Sequence, residues 1–446
     1  MQENTHIVIV GNGIAGVTAA RHIRKQSNCR VTVISGETDY FYSRTALMYV
    51  YMGHMEFEHT QPYENWFWKK NKIDLVKDWV TAVDFDSKSI SLEDGEQLTY
   101  DRLIIATGSV SNKFGWPGQD ANGVRGLYSK QDLEYITERT ISIKHAVIVG
   151  GGLIGIELAE MFHSRGVGVT FLVREKNFWD IVLPEEEAKM INQEIIEHHI
   201  DLHLATELDQ IKTDDNNNVV AVVTKSGKEI ECQFVGLTVG VSPNVNWLKD
   251  TKLEIDRGVV VNEYLETNIP DVYAIGDCAE HKNPSKGRRP VEQVWYTGRM
   301  MGETVARTIT GEKTAYKPGI WFNSAKFFNI EYQTYGQVKP ELDAGQEQFV
   351  WQSEGNKKLV RVVFDEKTMA VIGVNVFGIR MRHEVWDDWI GKERKINFVM
   401  EHLDQANFDP EFYKTYEYSI REKFNREFDF MTVKNTRPSL LKRLFA

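Results

Sequence analysis

His6-Ile-Val-Ile-Val-Gly-Asn-Gly-Ile-Ala-Gly16 opens the chain, and His145-Ala-Val-Ile-Val-Gly-Gly-Gly-Leu-Ile-Gly155 repeats it in outline. Each copy has a short β-branched run, a G-x-G-x-x-G turn and then a run of helix-forming residues. A second strand-like run follows each, Arg30-Val-Thr-Val-Ile34 and Gly168-Val-Thr-Phe-Leu-Val173. Two strand–turn–helix–strand units predict two doubly wound, Rossmann-like α/β domains.

The turns carry chemistry. In the first, Gly11 permits the tight turn, Gly13 lets backbone approach a pyrophosphate, and Gly16 lets helix and strand pack. Ile14 and Ala15 begin the helix, whose N-terminal N–H groups and dipole favour the negative charge. An acidic residue at the end of the second strand is expected to take a ribose hydroxyl. Glu37 has about that spacing, although the strand end itself falls at Ser35 or Gly36. The second turn supplies Gly150, Gly152, Leu153, Ile154 and Gly155 in the same roles. Its strand ends at Arg174-Glu175-Lys176. Arg174 there suits the 2′-phosphate of NADP, so NADPH is favoured over NADH; the alternative is a surface Arg174 with Glu175 serving NAD.

The rest of the composition bounds the class. At 446 residues the chain is long enough for several domains. A net charge of −11 argues against nonspecific nucleic-acid binding. Cys29, Cys232 and Cys278 are far apart, so no CxxC metal or redox motif exists. No signal peptide and no apolar run of membrane-spanning length is read, so a cytoplasmic location is expected. Gly, Pro and Asn crowd Asn112–Gly123, read as a crossing between domains, and a second crossing is expected at Gly240–Asn244. Asp214-Asp-Asn-Asn-Asn218 reads as a hairpin loop. After Pro318 the pattern changes to short aromatic strands, then a charged helical stretch over Phe408–Met431 and a basic, apolar tail, Leu440–Phe445.

Four more segments give the pattern a family likeness. They are Leu103-Ile-Ile-Ala-Thr-Gly108, Trp116-Pro-Gly118 with Gly123-Val124, Gly240-Val-Ser-Pro243, and Thr267-Asn-Ile-Pro-Asp-Val-Tyr-Ala-Ile-Gly-Asp277-Cys-Ala279. Together with the two turns, and in this order over roughly residues 5 to 335, the chain resembles the FAD-dependent pyridine nucleotide–disulfide oxidoreductases in the broad sense. The resemblance implies an FAD domain in two segments, 1–113 and 240–318, with an NAD(P) domain, 114–239, inserted between them. A C-terminal α+β domain, 319–446, follows. It implies that Ala106, Thr107, Gly108 and Gly240 line the FAD, and that Gly276 and Asp277 hold the ribityl chain. Val294 and Trp295 would lie at a helix start aimed at the flavin pyrimidine, and Glu157 near the nicotinamide and flavin N5.

The departures from the family set the subclass. Most members carry a redox CxxxxC, or a single Cys, in the region that here reads Tyr40-Phe-Tyr-Ser-Arg-Thr-Ala-Leu-Met-Tyr49. Without cysteine, a disulfide or sulfenic-acid mechanism on that side of the flavin fails. Cys278 is read as a packing residue. Tyr42-Ser-Arg44 resembles the signature of ferredoxin and rubredoxin reductases and of the FAD module of nitrite reductases, with Arg44 on the FAD phosphates. The lysine that ferredoxin reductases place a few residues on is absent. Trp321 or Phe322, in the aromatic run Gly319–Phe328, either shields the flavin or packs in a core. His383-Glu-Val-Trp-Asp-Asp388 is too sparse for a metal site, and none is expected. Basic clusters at Lys286–Arg289 and Lys392–Lys395 are solvated loops or a docking patch for an acidic electron carrier.

The expected activity is hydride transfer from NAD(P)H to FAD, then electron transfer to an iron–sulfur protein, a rubredoxin or a small oxidant, without a redox disulfide. The alternatives are an apoptosis-inducing-factor-like flavoprotein with a mainly interaction role, or the flavin half of a nitrite-reductase system. The sequence leaves the oligomeric state open; the resemblance adds the option of a homodimer, since family members with a large third domain often dimerise through it.

Overall fold

The structure is a computed structural model that describes residues 4–355, 357–408 and 414–435. Contacts divide the chain into two compact units. One comprises Met1–Thr170 with Leu208–Pro318, the other Phe171–Glu207 with Gly319–Ala446. The stretch 171–207, assigned from sequence to the nucleotide domain, thus groups by contacts with the C-terminal residues.

In the first unit β1 (His6–Val10) runs through the glycine turn into α1 (Ile14–Gln26) and β2 (Arg30–Ile34). Strands β3 (Ile73–Val76) and β4 (Arg102–Ile105) follow. Next come β5 (Val124–Arg125), β6 (His145–Val149), α2 (Leu153–Ser164) and β7 (Gly168–Leu172), which carries the chain across the division. The unit resumes with β8 (Phe234–Leu237), β9 (Val272–Ala274) and α3 (Trp295–Thr310). Strands β9, β4, β1, β2 and β3 form one parallel sheet in that order. Ile7, Val8 and Ile9 are fully buried, as a strand covered on both faces requires. The second repeat sets β6 beside β8, and β8 beside β5, again in parallel.

The repeat read from the sequence persists in atomic detail. Gly11 and Gly150 have φ +113° and +114°. A Cβ on Gly11 would lie 2.1 Å from the Ala106 carbonyl oxygen, and one on Gly150 2.5 Å from that of Thr238. Only glycine fits such a left-handed turn against a neighbouring strand. His6 Nε2 lies 2.8 Å from Thr32 Oγ1 in the first copy, and His145 Nε2 lies 2.9 Å from Thr170 Oγ1 in the second.

The two crossings meet. Val241–Pro243 pairs antiparallel with Ser109–Ser111. Asp214–Asn218 closes a hairpin between Leu208–Thr213 and Val219–Thr224, and the Asp214 carboxylate accepts from the Asn216 and Asn218 N–H groups. Helix α3 lies close on α1, because a Cβ at Gly302 would stand 2.5 Å from the Ala15 carbonyl oxygen.

The second unit contains a five-stranded antiparallel sheet. Its strands are β10 (Phe322–Phe327), β11 (Ile330–Gly336), β12 (Gln346–Gln352), β13 (Leu359–Asp365) and β14 (Val371–Phe377), in the order β10, β11, β14, β13, β12. Its core includes Trp386 and Trp389 from the helix His383–Gly391, with Ile420 and Phe424 from the helix Glu417–Glu427. That last helix is shorter than the Phe408–Met431 expectation; the tail Leu440–Phe445 lies outside the described residues. Arg361 is 1% exposed and Glu187 0%, and they pair through two contacts of 2.7 Å. The architecture is two Rossmann-like α/β folds with an α+β C-terminal part, as the sequence predicts. Among the described residues no helix is long and apolar enough to cross a membrane.

Candidate functional site

Helix α1 begins at Gly13 with no side chain capping it, and a Cβ on Gly13 would meet nothing within 4 Å. An uncapped helix start facing open space can take an anion on its own N–H groups. Around it the first unit gathers the other motifs. The Ala106 N–H donates to the Val10 carbonyl at 2.8 Å, and Thr107 Oγ1 donates to the Asn244 carbonyl at 2.8 Å. Gly108 accepts from the Asn244 N–H, and Gly240 from the Asn112 N–H. A Cβ on Gly276 would lie 2.9 Å from Ala15 Cβ, so the turn carrying Asp277 rests on the start of α1, beside Gly16. Val294 is the N-cap of α3 and Trp295 its first residue; here too no side chain caps the helix.

Asp277 is partly buried, and the loss of solvent pushes its carboxyl above the usual value, opposed by a hydrogen bond from Ser109 Oγ at 3.0 Å. Ser109 Oγ in turn accepts from Gln293 Nε2 at 2.8 Å. The sequence reading missed Ser109 and Gln293, although each adjoins a motif residue, Gly108 and Val294. It also missed Asn12, whose Nδ2 donates to the Thr38 carbonyl at 2.9 Å and pins the glycine turn to the loop beyond β2.

Glu37 and Arg44 were each expected to reach the dinucleotide, but here they face one another. Arg44 Nη1 and Nη2 donate to Glu37 Oε1 and Oε2 at 2.9 and 2.6 Å. Tyr42 Oη and the Lys130 N–H, the latter at 3.0 Å, donate to the same carboxylate, and Arg44 also donates to the Tyr128 carbonyl. Burial opposes ionisation of Glu37, yet the hydrogen bonds and charge of Arg44 outweigh it and hold the carboxyl below its ordinary value. This differs from a Glu37 standing open at the strand end. The loop turns the carboxylate back on a cation seven residues later, as charge pairing favours in a half-buried site.

The second turn repeats the first. Gly152 caps α2 without a side-chain bond, and a Cβ there would meet nothing within 4 Å. Leu153, Ile154 and Gly155 form the first turn of α2, and Glu157 follows. Burial, with Glu160 close by, pushes the Glu157 carboxyl up to about 7. Arg174, in the other unit, is 72% exposed and donates to Glu175 Oε1 at 2.7 Å. Phe322 packs on His383 at 4.1 Å between ring centroids. In the basic clusters, Arg288 turns inward onto the buried Glu292, and Lys392 pairs with Asp388 at 2.5 Å. Cys29, Cys232 and Cys278 are all buried, and Cys278 Sγ lies against the Ile105 and Ile275 carbonyls. Among the described residues no three His, Cys, Asp or Glu side chains converge on a metal position.

The residues fit FAD in the first site. The Gly13 cradle suits a pyrophosphate, the partly buried Asp277 suits hydroxyl donors, and uncapped α3 suits a group that gains negative charge.

Comparison with known proteins agrees. The family described as "Pyridine nucleotide-disulphide oxidoreductase" matches residues 5–302. The nitrite reductase [NAD(P)H] of Bacillus subtilis is 30% identical over 285 residues, 63% of this chain, but the chain spans only 35% of that protein. The 5,5'-dehydrodivanillate O-demethylase ferredoxin reductase subunit of a Sphingobium species is 30% identical over 333 residues, covering 74% of this chain and 81% of that one. The crystal structure of NADH:rubredoxin oxidoreductase from Clostridium acetobutylicum superposes with a TM-score of 0.70 at 25% identity, covering 88% and 96% of the two chains. With paired glycine turns, an FAD-compatible first site and a family match across two thirds of its length, the chain belongs to the pyridine nucleotide-disulphide oxidoreductase family.

Proposed function

We propose that the chain passes electrons from a nicotinamide nucleotide, through FAD, to a small electron-carrier protein of the iron–sulfur or rubredoxin kind, or to a small oxidant, with no cysteine in the relay. The observation that carries this reading is that all three cysteines are buried and none lies between Tyr40 and Tyr49. The relatives named as ferredoxin and rubredoxin reductases support the same class of acceptor. Nothing in the site favours the mainly interacting alternative.

FAD, when bound, accepts a hydride and releases its electrons to the acceptor. The chain's own residues bind and orient. Gly11, Gly13, Ile14, Ala15 and Gly16 take the FAD pyrophosphate, and Ala106, Thr107, Gly108 and Gly240 form the wall beside it. Asp277, steered by Ser109, holds the ribityl hydroxyls with Gly276, while the N–H groups at Val294 and Trp295 favour charge on the flavin ring. Glu37 and Arg44 act as one unit, the carboxylate toward the ribose and the guanidinium toward the phosphates. Gly150, Gly152, Leu153, Ile154 and Gly155 hold the nicotinamide nucleotide. Glu157, half-protonated near neutrality, lies toward the nicotinamide without placing a full negative charge there. Arg174 turns from Glu175 to the 2′-phosphate and gives NADPH the preference. A cytoplasmic homodimer divided as 1–113 with 240–318, 114–239 and 319–446 completes the reading; size-exclusion with light scattering tests the dimer.

An acceptor screen with the FAD-loaded protein tests the function. NADPH-driven reduction of a rubredoxin or ferredoxin should be undiminished in C29A/C232A/C278A, since none of these buried cysteines enters the relay. Loss of turnover in a folded, FAD-loaded triple variant would overturn the cysteine-free relay. Arg174→Ala should raise KM for NADPH about tenfold more than for NADH; equal effects would overturn the 2′-phosphate assignment.

A further inference from the structure

Three segments far apart in the chain meet at one buried hydroxyl of the first unit. Ser109, 2% exposed, opens the crossing strand Ser109–Ser111, Asp277 sits in the turn against α1, and Gln293 directly precedes the N-cap of α3. The Ser109 backbone is held, because its N–H donates to Tyr128 Oη at 2.8 Å. Its hydroxyl has one proton to give, with Asp277 Oδ2 at 3.0 Å and Gln293 Nε2 at 2.8 Å. The second crossing strand decides where that proton goes. Gln293 Nε2 also donates to the Val241 carbonyl at 3.3 Å, and Val241–Pro243 pairs with Ser109–Ser111. A carbonyl oxygen only accepts, so the amide turns its nitrogen to the crossing. The second hydrogen on that nitrogen falls on Ser109 Oγ, and the Ser109 proton is left for Asp277. A hydroxyl donating to a carboxylate makes a charge-assisted bond, and a chain of such bonds strengthens it. The segment that carries Gln293 is itself pinned. Its neighbour Glu292, 3% exposed, accepts from Arg288 Nε and from Tyr316 Oη at 3.2 Å, and the Glu292 carbonyl accepts from Thr297 Oγ1 at 3.2 Å. A side chain presented from a pinned segment keeps its direction.

We propose that Gln293 is a positioning residue for the flavin: it sends the Ser109 proton onto Asp277 and ties the start of α3 to the crossing strands, so that the ribityl-binding carboxylate and the α3 N–H groups keep one fixed spacing. It acts through Ser109 and touches no reacting atom. The inference rests on the FAD reading of the first site.

The test is a double-mutant cycle on the FAD-loaded protein, with release of FAD on dilution followed by flavin fluorescence and the fold of each variant checked by circular dichroism. Q293M keeps the length of the side chain without its donor and should weaken FAD about tenfold. S109A should cost at least as much, and S109A/Q293M no more than S109A alone, because the second change removes a bond whose recipient is already gone. Q293E sets an acceptor where the donor stood, draws the Ser109 proton off Asp277 and should weaken FAD at least as much as Q293M. A dye-equilibrated reductive titration gives the second readout. In Q293M the reduced flavin should lose about tenfold more affinity than the oxidised one, since its charge relies on the α3 N–H groups, and the midpoint potential should fall by about 30 mV. Additive losses in the cycle, parent-like FAD retention in Q293E, or an unmoved potential in Q293M would overturn this inference alone. A parent protein that takes up no FAD would overturn it together with the reading on which it rests.

Discussion

Glu157→Gln gives the sharpest test of the electrostatics at the second glycine turn. Burial, assisted by Glu160, moves the Glu157 carboxyl from its ordinary 4.5 to about 7. Below pH 4.5 the side chain is neutral in both folded and unfolded chains, and there is no penalty. Between pH 4.5 and 7 the unfolded chain releases its proton while the folded chain keeps it, so this residue's contribution to stability falls as pH rises. Above pH 7 both states are ionised and the full penalty is in place, about 3 kcal/mol. Glutamine is neutral throughout and carries none. The stability of E157Q relative to the parent should therefore climb by about 3 kcal/mol from pH 4 to pH 8, whatever its offset at low pH. Urea unfolding at a fixed, saturating FAD concentration across that range measures the difference, since cofactor linkage then stays comparable between the two proteins. A difference flat with pH would refute both the desolvated setting of the partly buried Glu157 and its proposed half-protonated state. Glu160→Gln should shift the window to lower pH, because it removes the second cause of the raised value.

Other outcomes follow from single contacts. Arg361→Met strips the cation from a fully buried Glu187 and should cost about 3–5 kcal/mol by urea midpoint, whereas R361M/E187L should recover most of it. Gly13→Ala places its Cβ in open space, so its circular dichroism should match the parent while FAD retention, read by absorbance, falls about tenfold. Gly11→Ala should lose both fold and flavin, because its Cβ would stand 2.1 Å from the Ala106 carbonyl oxygen at φ +113°. Arg44→Ala should let the Glu37 carboxyl rise toward and past its ordinary value, measurable by infrared titration, since burial then acts with less opposition.

What the sequence made legible was what is local and repeated. The glycine spacing anticipated two turns that agree to within a degree in φ, and even the histidine that opens each copy meets a threonine in the same way. The Asn-rich run at 214–218 announced its hairpin through side chains that bond their own backbone. Contacts made at long range were not legible. Ser109 meets Asp277 across 168 positions and Arg361 meets Glu187 across 174, and no periodicity encodes such partners. Glu37 and Arg44 are near in sequence, but each was matched to the dinucleotide by itself, and mutual pairing depends on the path of the loop between them. Arg288 looked like part of a basic surface and instead turns onto buried Glu292 four residues on.

The most direct test of the central claim is anaerobic stopped-flow absorbance of the FAD-loaded protein. NADPH, and NADH less effectively, should bleach the flavin band in well under a second, and a second mix with oxidised rubredoxin or ferredoxin should restore it, with both phases kept in C29A/C232A/C278A. A flavin that neither nucleotide reduces within minutes, or one whose reoxidation stops in the folded triple variant, would contradict the account.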